Sequence, residues 1–270
     1  IVLNATHTHT APLSRLGLFS MSSFRANSDS RPQPPAAPMA RQQGAAATPD
    51  AGPELMREID LPAMEASAYI AWASRRIADA AIAAWRGRAP GSVGYALGQA
   101  VVGRNRRSVY GIGESRMYGN TAADDFSHIE GYEDHSVNLL AAWDAAGRLT
   151  GVIVNVPCPA QETEKLFEIS ADYWHDARVE LRRRLGSDLF VLAQCSTAGD
   201  QSPHVQWDKA AVARMLRLKG LSARQEIAVR IANAVEEVLP YAEKERQAEV
   251  VFMHQAEVVE LSRRRLTERD

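Results

Sequence analysis

The sequence lacks the features that mark several specialised classes of protein. Its 270 residues include only two cysteines, Cys158 and Cys195, which are too few for a framework of disulfide bonds. Its formal net charge is −2, so no global basic field favours a nucleic-acid partner, and none is expected. No apolar run approaches the ~20 residues that cross a bilayer. These absences direct attention to the chemistry of individual loops.

What is present is the composition of an ordinary globular protein, with 46% hydrophobic and 24% charged residues. We expect residues 1–270 to form a single domain with a substantial core. The chain opens without methionine inside an apolar run and closes on a charged one, so we expect a truncated piece of a longer protein. Residues 20–53 are rich in Ser, Pro, Ala, Gln and Gly. That composition predicts a flexible insertion.

Periodic segments predict the secondary structure. One helix is predicted to start near Asp60 and to end at Gly87. Another is predicted over residues 163–185 with Thr163 as its N-cap, followed by a short helix to residue 218 and one that opens with a Ser222–Gln225 capping box. The apolar stripe of the first helix is interpreted as core: Met64, Ala68, Ala71, Ala78, Ile82 and Trp85. Strands are predicted at residues 1–3, 93–102, 137–143, 149–156 and 189–194. Residues 250–261 are open between strand and helix, and a strand is favoured.

The order of these segments predicts the fold class. Residues 137–143 and 149–156 flank a short turn with Gly147, which indicates a hairpin. The second of these strands, the helix after it and the strand at 189–194 predict a parallel pair covered by a helix. We therefore predict an α/β fold with a mixed β-sheet core flanked by helices.

Three loops follow the ends of predicted strands, where sites of such sheets gather. The first contains His7 and His9, which are two residues apart and can aim at one metal ion or anionic oxygen. The second contains Cys158, and the third covers residues 199–204 with Ser202. The alternative for the two histidines is a turn whose rings bond to the backbone, and it is the commoner one for an isolated His-x-His.

Two further clusters carry charge. Arg104, Arg106 and Arg107 form either a solvated edge, which is favoured for a short basic run, or a clamp for an anion or carbonyl oxygen. Residues 124–135 contain His128 and His135 among several carboxylates. For this segment the favoured interpretation is an acidic surface loop.

Three short motifs stand in a shared order: Thr6-His7-Thr8-His9, Asn105-Arg106-x-Ser108 and Gly199-Asp200-Gln201-Ser202-Pro203. They occur in the same order in neutral/alkaline ceramidases. Over residues 1–261 the sequence resembles the N-terminal catalytic domain of this family, as in a divergent bacterial member. The resemblance implies a zinc-dependent amidase that hydrolyses ceramide-like N-acyl lipids.

The resemblance also implies a role for each matching residue. His7 would be the first zinc ligand, His9 a group beside the metal or at the transition state, and Arg106 the arginine next to the zinc. Ser202 would be either the nucleophile or the group that positions the attacking water, and Asp200 would hold its loop. Zinc-bound water supplies hydroxide near neutral pH, and the metal polarises the carbonyl group.

The sequence departs from the family at the metal. The family has another zinc histidine after the strand equivalent to residues 151–156, whereas this sequence has Pro157-Cys158-Pro159. Cys158 is either a replacement thiolate ligand or an inert buried thiol, and the second is slightly favoured. His128 and His135 are reserve ligands. The family's glutamate and tyrosine ligands are expected beyond Asp270.

Three hypotheses of function stay open. The first is the ceramidase-like zinc amidase, which is favoured because three motifs agree in order. The second is a metal-independent hydrolase that uses Ser202 or Cys158. The third is a non-catalytic domain that keeps the fold with an incomplete metal shell. The first implies zinc as cofactor, a lipid-like small molecule as partner, peripheral membrane contact, and a secreted or periplasmic location.

Overall fold

The computed structural model of the protein describes residues 4–11, 65–111, 113–164, 166, 168–253 and 255–262. The described residues fall into two compact units. The smaller unit holds residues 10–11, 65–88, 166 and 168–170, and the larger unit holds the others. The predicted strand at residues 1–3 and the predicted insertion at residues 20–53 lie outside the described residues. Within those ranges, no helix combines the length and apolar character needed to cross a membrane.

The smaller unit contains one long helix, α1 (Ala66–Arg86), which ends at Gly87 as predicted. None of its residues is buried. The predicted core stripe is therefore wrong at its described positions, Ala68, Ala71, Ala78, Ile82 and Trp85, and Trp85 is 68% exposed. Helical spacing of apolar residues shows that one face of a helix is apolar, but it does not show that another element covers that face. Met64 lies outside the described residues.

The described part of the larger unit forms nine strands and three helices. The strands are β1 (Gly91–Gln99), β2 (Arg104–Asn105), β3 (Arg107–Tyr110), β4 (Glu114–Met117), β5 (Phe126–Ile129), β6 (Ser136–Asp144), β7 (Leu149–Val156), β8 (Phe190–Cys195) and β9 (Gln201–Ser202). The helices are α2 (Tyr173–Leu185), α3 (Lys209–Lys219) and α4 (Ala223–Lys244).

The main sheet confirms the predicted topology. Its strand order is β1-β6-β7-β8, in which β1, β6 and β7 pair antiparallel and β7 and β8 pair parallel. The β6–β7 hairpin turns at Gly147, whose φ of 79° suits glycine. Helix α2 provides the crossover between β7 and β8. The fold is thus α/β, with a mixed sheet and flanking helices, as the sequence predicts.

The core lies on one face of this sheet. Alternate residues of β6 and β7 are buried, such as Val137, Leu139, Val152 and Val154, because strand side chains alternate between the two faces. Helices α2 and α4 cover that face with residues at helical spacing: Tyr173, Trp174, Ala177, Leu181, Ile227, Ile231, Val235 and Val238. Helix α4 begins with the predicted Ser222–Gln225 capping box.

Helix α4 approaches β1 closely because two positions of β1 carry no side chain. A Cβ atom at Gly94 would lie 2.1 Å from the carbonyl oxygen of Ala242, and one at Gly98 would lie 3.0 Å from that of Ala234. The first distance is a hard clash with backbone, so the packing of α4 on the sheet requires glycine at position 94.

Helix α2 begins nine residues later than predicted, and Thr163 is not its N-cap. Asp172 takes that place: its carboxylate accepts hydrogen bonds from the backbone amides of Glu162, Thr163 and Tyr173 and from the Thr163 hydroxyl, at 2.6–3.1 Å. Ile169, which lies within the predicted helix but before its observed start, is 78% exposed. Apolar residues at helical spacing also occur before the observed start of α2. Their spacing gives no information on where the chain turns, so the prediction placed the start of the helix too early.

The predicted strand at residues 250–261 is also wrong. The described residues of this segment form no strand, and Val251 and Val258 are 91% and 93% exposed. A β-propensity run becomes a strand only where a partner strand is within hydrogen-bonding distance.

Asp172 is expected to be the most sensitive cap of the fold. It is fully buried and has a φ of 51°, which asparagine tolerates, so Asp172→Asn removes a charged acceptor without backbone conflict. Asp208 at the start of α3 has a similar φ of 52° but makes no side-chain cap bond. Urea unfolding should show a loss of about 2–4 kcal/mol for Asp172→Asn and under about 0.5 kcal/mol for Asp208→Asn. Equal losses would contradict this assignment.

Candidate functional site

The pairing of β2 with β9 brings two of the three motif loops together. Arg104 lies opposite Ser202 and Asn105 opposite Gln201 in an antiparallel ladder. Next to the ladder, the backbone N–H of Arg106 donates to the carbonyl oxygen of Asp200 at 2.8 Å. The arginine motif and the Gly-Asp-x-Ser-Pro motif therefore form one continuous backbone unit.

Asn105 and Asp200 connect these loops through their side chains. The Asn105 amide nitrogen donates to the Asp200 carboxylate at 3.0 Å, and its oxygen accepts from the Arg107 N–H at 2.9 Å. The Asn105 backbone N–H donates to the Glu133 carboxylate at 3.0 Å. Because Asn105 is buried, these bonds satisfy groups that water does not reach. Asp200 is thus placed to hold the loop that carries Ser202.

Arg106 is held in a fixed orientation. Its guanidinium donates to the Tyr118 hydroxyl at 3.0 Å and to the Gly199 carbonyl oxygen at 2.8 Å, and it lies over the Tyr118 ring at 5.4 Å from the centroid. Its Nε atom is buried and has no partner among the described residues. A guanidinium clamped at two nitrogens presents its remaining N–H groups in a defined direction.

Ser202 is fully buried beside Tyr118. Its Oγ accepts hydrogen bonds from the Tyr118 hydroxyl at 3.1 Å, from the Gln161 amide at 3.2 Å and from the backbone N–H of His204 at 3.1 Å. None of these partners is an imidazole ring or a carboxylate that removes a proton. The geometry therefore suits a hydroxyl that positions its neighbours more than an activated nucleophile.

Tyr118 and Gln161 are site residues that sequence reasoning missed. Gln161 is 1% exposed and donates to the Tyr118 hydroxyl at 2.6 Å, while its Oε1 atom has no partner among the described residues. The signal for Gln161 was its place in the loop after β7, where a site was expected. Tyr118 follows β4, which the sequence did not predict, so no signal identified it.

The histidine loop attaches to the loop after β7, because the Thr6 carbonyl oxygen accepts a hydrogen bond from the Ala160 N–H at 2.9 Å. The rings of His7 and His9 are adjacent, with centroids 5.2 Å apart. His9 is engaged through Nδ1 with the Glu164 carboxylate at 3.1 Å. Partial burial, then the charges of His9 and Arg106, lower the pKa of His7 below its ordinary value. His7 is therefore a neutral imidazole at pH 7, within electrostatic range of Arg106.

Cys158 lies inside the core, and its thiol contacts the carbonyl oxygen of Pro159 at 3.5 Å. Gly103 packs against this turn, where a Cβ atom would be 2.7 Å from the Pro157 carbonyl oxygen. Burial raises the pKa of the Cys158 thiol far above its ordinary range. Of the two interpretations that the sequence left open, the surroundings of Cys158 favour the inert buried thiol over the zinc ligand.

The described residues do not fit a complete zinc site. They contain no group of three or more His, Cys, Asp or Glu side chains arranged to hold a metal ion. The two reserve histidines have other partners: His128 Nδ1 is 2.9 Å from the Ser127 hydroxyl, and His135 Nε2 is 3.1 Å from the Glu133 carboxylate. Near the Arg106 cluster lie the ring of His7, within electrostatic range of Arg106, and the ring of His204, 5.8 Å from that of Tyr118 between centroids.

The basic run divides between the two interpretations that the sequence left open. Arg107 pairs with Glu130 through two N–H groups at the surface, as expected of a solvated edge. Arg106 is held by Tyr118 and Gly199 as described above, and Arg104 lines a groove that Arg106 does not line.

Among known proteins, partial similarity is found only to solved structures. No family model matches the chain, and no curated protein does. Two solved structures are similar in part: neutral ceramidase from Pseudomonas aeruginosa, at 20% identity and a TM-score of 0.39, and a structure described as ceramidase complexed with C2, at 19% and 0.40. Each match covers 58% of this chain and 24% or 23% of the solved chain, so this chain spans about a quarter of their length. At this level the likeness assigns no function.

The electrostatic coupling of His7 to Arg106 predicts a measurable titration. In metal-free protein, NMR of the His7 ring should give a midpoint below the ordinary value, because burial and two nearby charges disfavour its protonated form. Arg106→Gln removes one of these charges and should raise the midpoint. Arg107→Gln, which breaks a surface pair with Glu130, should leave it unchanged. An unchanged midpoint in Arg106→Gln would show that the two side chains do not interact.

Proposed function

We propose that this chain is part of a hydrolase that cleaves the amide bond of an N-acyl lipid of the ceramide-like class. The observation that carries the proposal is the polar cluster around Arg106, in which residues of two sequence motifs, distant along the chain, are joined by hydrogen bonds. His7 of the third motif lies within electrostatic range of Arg106. The motif order suggests the amide substrate, and the chemistry of the cluster supports it. The substrate class also leads us to propose peripheral membrane contact and a secreted or periplasmic location.

Each group of the cluster suits one need of amide hydrolysis. The oriented Arg106 guanidinium can donate to the carbonyl oxygen as negative charge develops there. The neutral ring of His7 can accept a proton or bind a metal ion. Ser202, Tyr118 and Gln161 form the hydrogen-bonded support that fixes the guanidinium before substrate binds, which lowers the reorganisation required in the transition state.

Zinc enters the proposal only through His7, because the described residues supply no complete set of ligands around it. Bound zinc would supply a hydroxide and polarise the carbonyl group. The same observation favours a second candidate function, a non-catalytic domain that retains the fold without a working metal shell.

Hydrolysis of a fluorescent N-acyl sphingosine tests the proposal. With zinc supplied, the chain should release the acyl group, and chelation should stop the reaction. Arg106→Gln and His7→Asn should each lower kcat/KM by about 100-fold or more, the loss typical of one donor to a developing oxyanion. The matched control Arg107→Gln should stay within about threefold, since its side chain only pairs with Glu130.

The outcomes separate the candidates. No turnover, with or without zinc, in a longer protein that contains this chain and the ligands expected beyond Asp270 would support the non-catalytic domain. Turnover that ignores both the chelator and Arg106→Gln would overturn the assignment of this cluster.

The metal-independent Cys hydrolase makes a different prediction. Because the Cys158 thiol is buried and its proton is retained at neutral pH, Cys158→Ala should keep kcat/KM within about threefold of the unaltered chain. A thiol nucleophile would instead lose about 1,000-fold or more on removal. Circular dichroism of Cys158→Ala verifies that the fold survives the small cavity.

A further inference from the structure

A groove separate from the Arg106 cluster lies between the β2–β9 pair and helices α3 and α4. Its volume is about 210 Å³. We call it the α3 groove, and its walls are mainly apolar: Pro203, Val205, Val212, Ala213, Leu216 and Ile227. No residue of α3 is buried, so this helix forms one wall of the groove and leaves it open to solvent. The space equals roughly seven water volumes, which suits a short alkyl chain.

Arg104 is the partly buried cation of this groove, and its side chain lacks a partner among the described residues. Its guanidinium lines the groove, is partly buried, and has no hydrogen bond or ion pair among the described residues. Burial and the nearby charge of Arg230 lower its pKa, but an arginine stays charged at neutral pH. A partly desolvated, unpaired cation is costly in an apolar setting, and a bound anion would offset that cost.

The other charges of the groove are mostly neutralised. Arg230 donates to the Glu226 carboxylate at 3.1 Å and to the Val101 carbonyl oxygen at 2.9 Å, and Lys219 donates to Glu226 at 2.8 Å. Lys209 at the rim is exposed and adds a second unpaired cation. The groove therefore combines apolar walls with two cations, Arg104 and Lys209, that have no ion pair among the described residues.

Glu162 is the remaining carboxyl of the groove. Burial, with repulsion from Asp172 and Glu164, raises its pKa to about 7, against the attraction of Arg104 and Arg224. Because half of the Glu162 population is protonated near pH 7, it does not fully neutralise Arg104 there.

We propose that the α3 groove binds an amphiphilic anion, a medium-chain alkyl carboxylate whose head group pairs with Arg104 and whose chain lies along Val205, Val212 and Leu216. A carboxylate matches the planar fork of a guanidinium, and the volume fits a chain of about eight carbons. The site is distinct from the proposed site of amide hydrolysis, since Arg106, Tyr118 and Ser202 do not line the α3 groove.

Calorimetric titration of the full chain with octanoate tests this site. Octanoate should bind. 1-Octanol, which has the alkyl chain without the carboxylate, and acetate, which has the carboxylate without the chain, should each bind at least about tenfold more weakly. Arg104→Met should weaken octanoate by at least about tenfold, and Arg104→Lys should restore part of the affinity. Arg107→Met, from the same basic run, should change nothing.

Three results would each overturn the proposal: octanol that binds as tightly as octanoate, acetate that binds as tightly, or octanoate binding that ignores Arg104→Met. Circular dichroism of Arg104→Met guards against loss of fold, and the partial rescue by Arg104→Lys provides a second, independent readout.

A pH series gives a further test. Glu162 is neutral below pH 7 and charged above it, so it repels a bound carboxylate more at pH 8 than at pH 6. Octanoate should therefore bind more tightly at pH 6. Glu162→Gln should remove the difference and keep the tighter binding at pH 8. A pH dependence that persists in Glu162→Gln would exclude this carboxyl as its source.

Discussion

The site depends on a two-residue ladder, the pairing of β2 with β9. A ladder of that length is marginal by itself, since isolated short strand pairs gain too few bonds to offset their ordering. Here it is reinforced by the bond from the Arg106 N–H to Asp200 and by the Asn105–Asp200 side-chain bond. Two loops separated by about a hundred residues of sequence are thus joined by a few buried polar contacts.

Buried polar contacts of this kind are expensive to leave incomplete, and this cluster is not fully satisfied. Gln161 Oε1 and Arg106 Nε have no partner among the described residues. An orphaned acceptor and an orphaned donor beside an oriented guanidinium weaken the folded state, because each has given up water without replacement. The cluster therefore contains buried polar atoms that the described part of the fold does not satisfy.

The sequence predicted correctly those elements that depend on a local residue pattern and on an element next to them along the chain. The β6–β7 hairpin, the parallel β7–β8 pair and the capping box at Ser222 follow from local pattern and turn chemistry. It failed where a distant partner decides: the exposed face of α1, the Asp172 cap that ties α2 to the preceding loop, and the Tyr118 hydroxyl. Motif order located Arg106 and Ser202, but not the side chains that connect them.

The environment of each arginine in the basic run could not be predicted from composition alone. Arg104, Arg106 and Arg107 are adjacent in sequence, yet one faces the α3 groove, one is clamped in the polar cluster and one pairs with Glu130 at the surface. Arg104 belongs to β2, Arg107 belongs to β3, and Arg106 lies at the break between them, so the three arginines do not share one continuous strand. A solvated surface pair and an arginine held by two hydrogen bonds are therefore both present within four residues, because the neighbouring elements and not the charge density decide which groups each arginine meets.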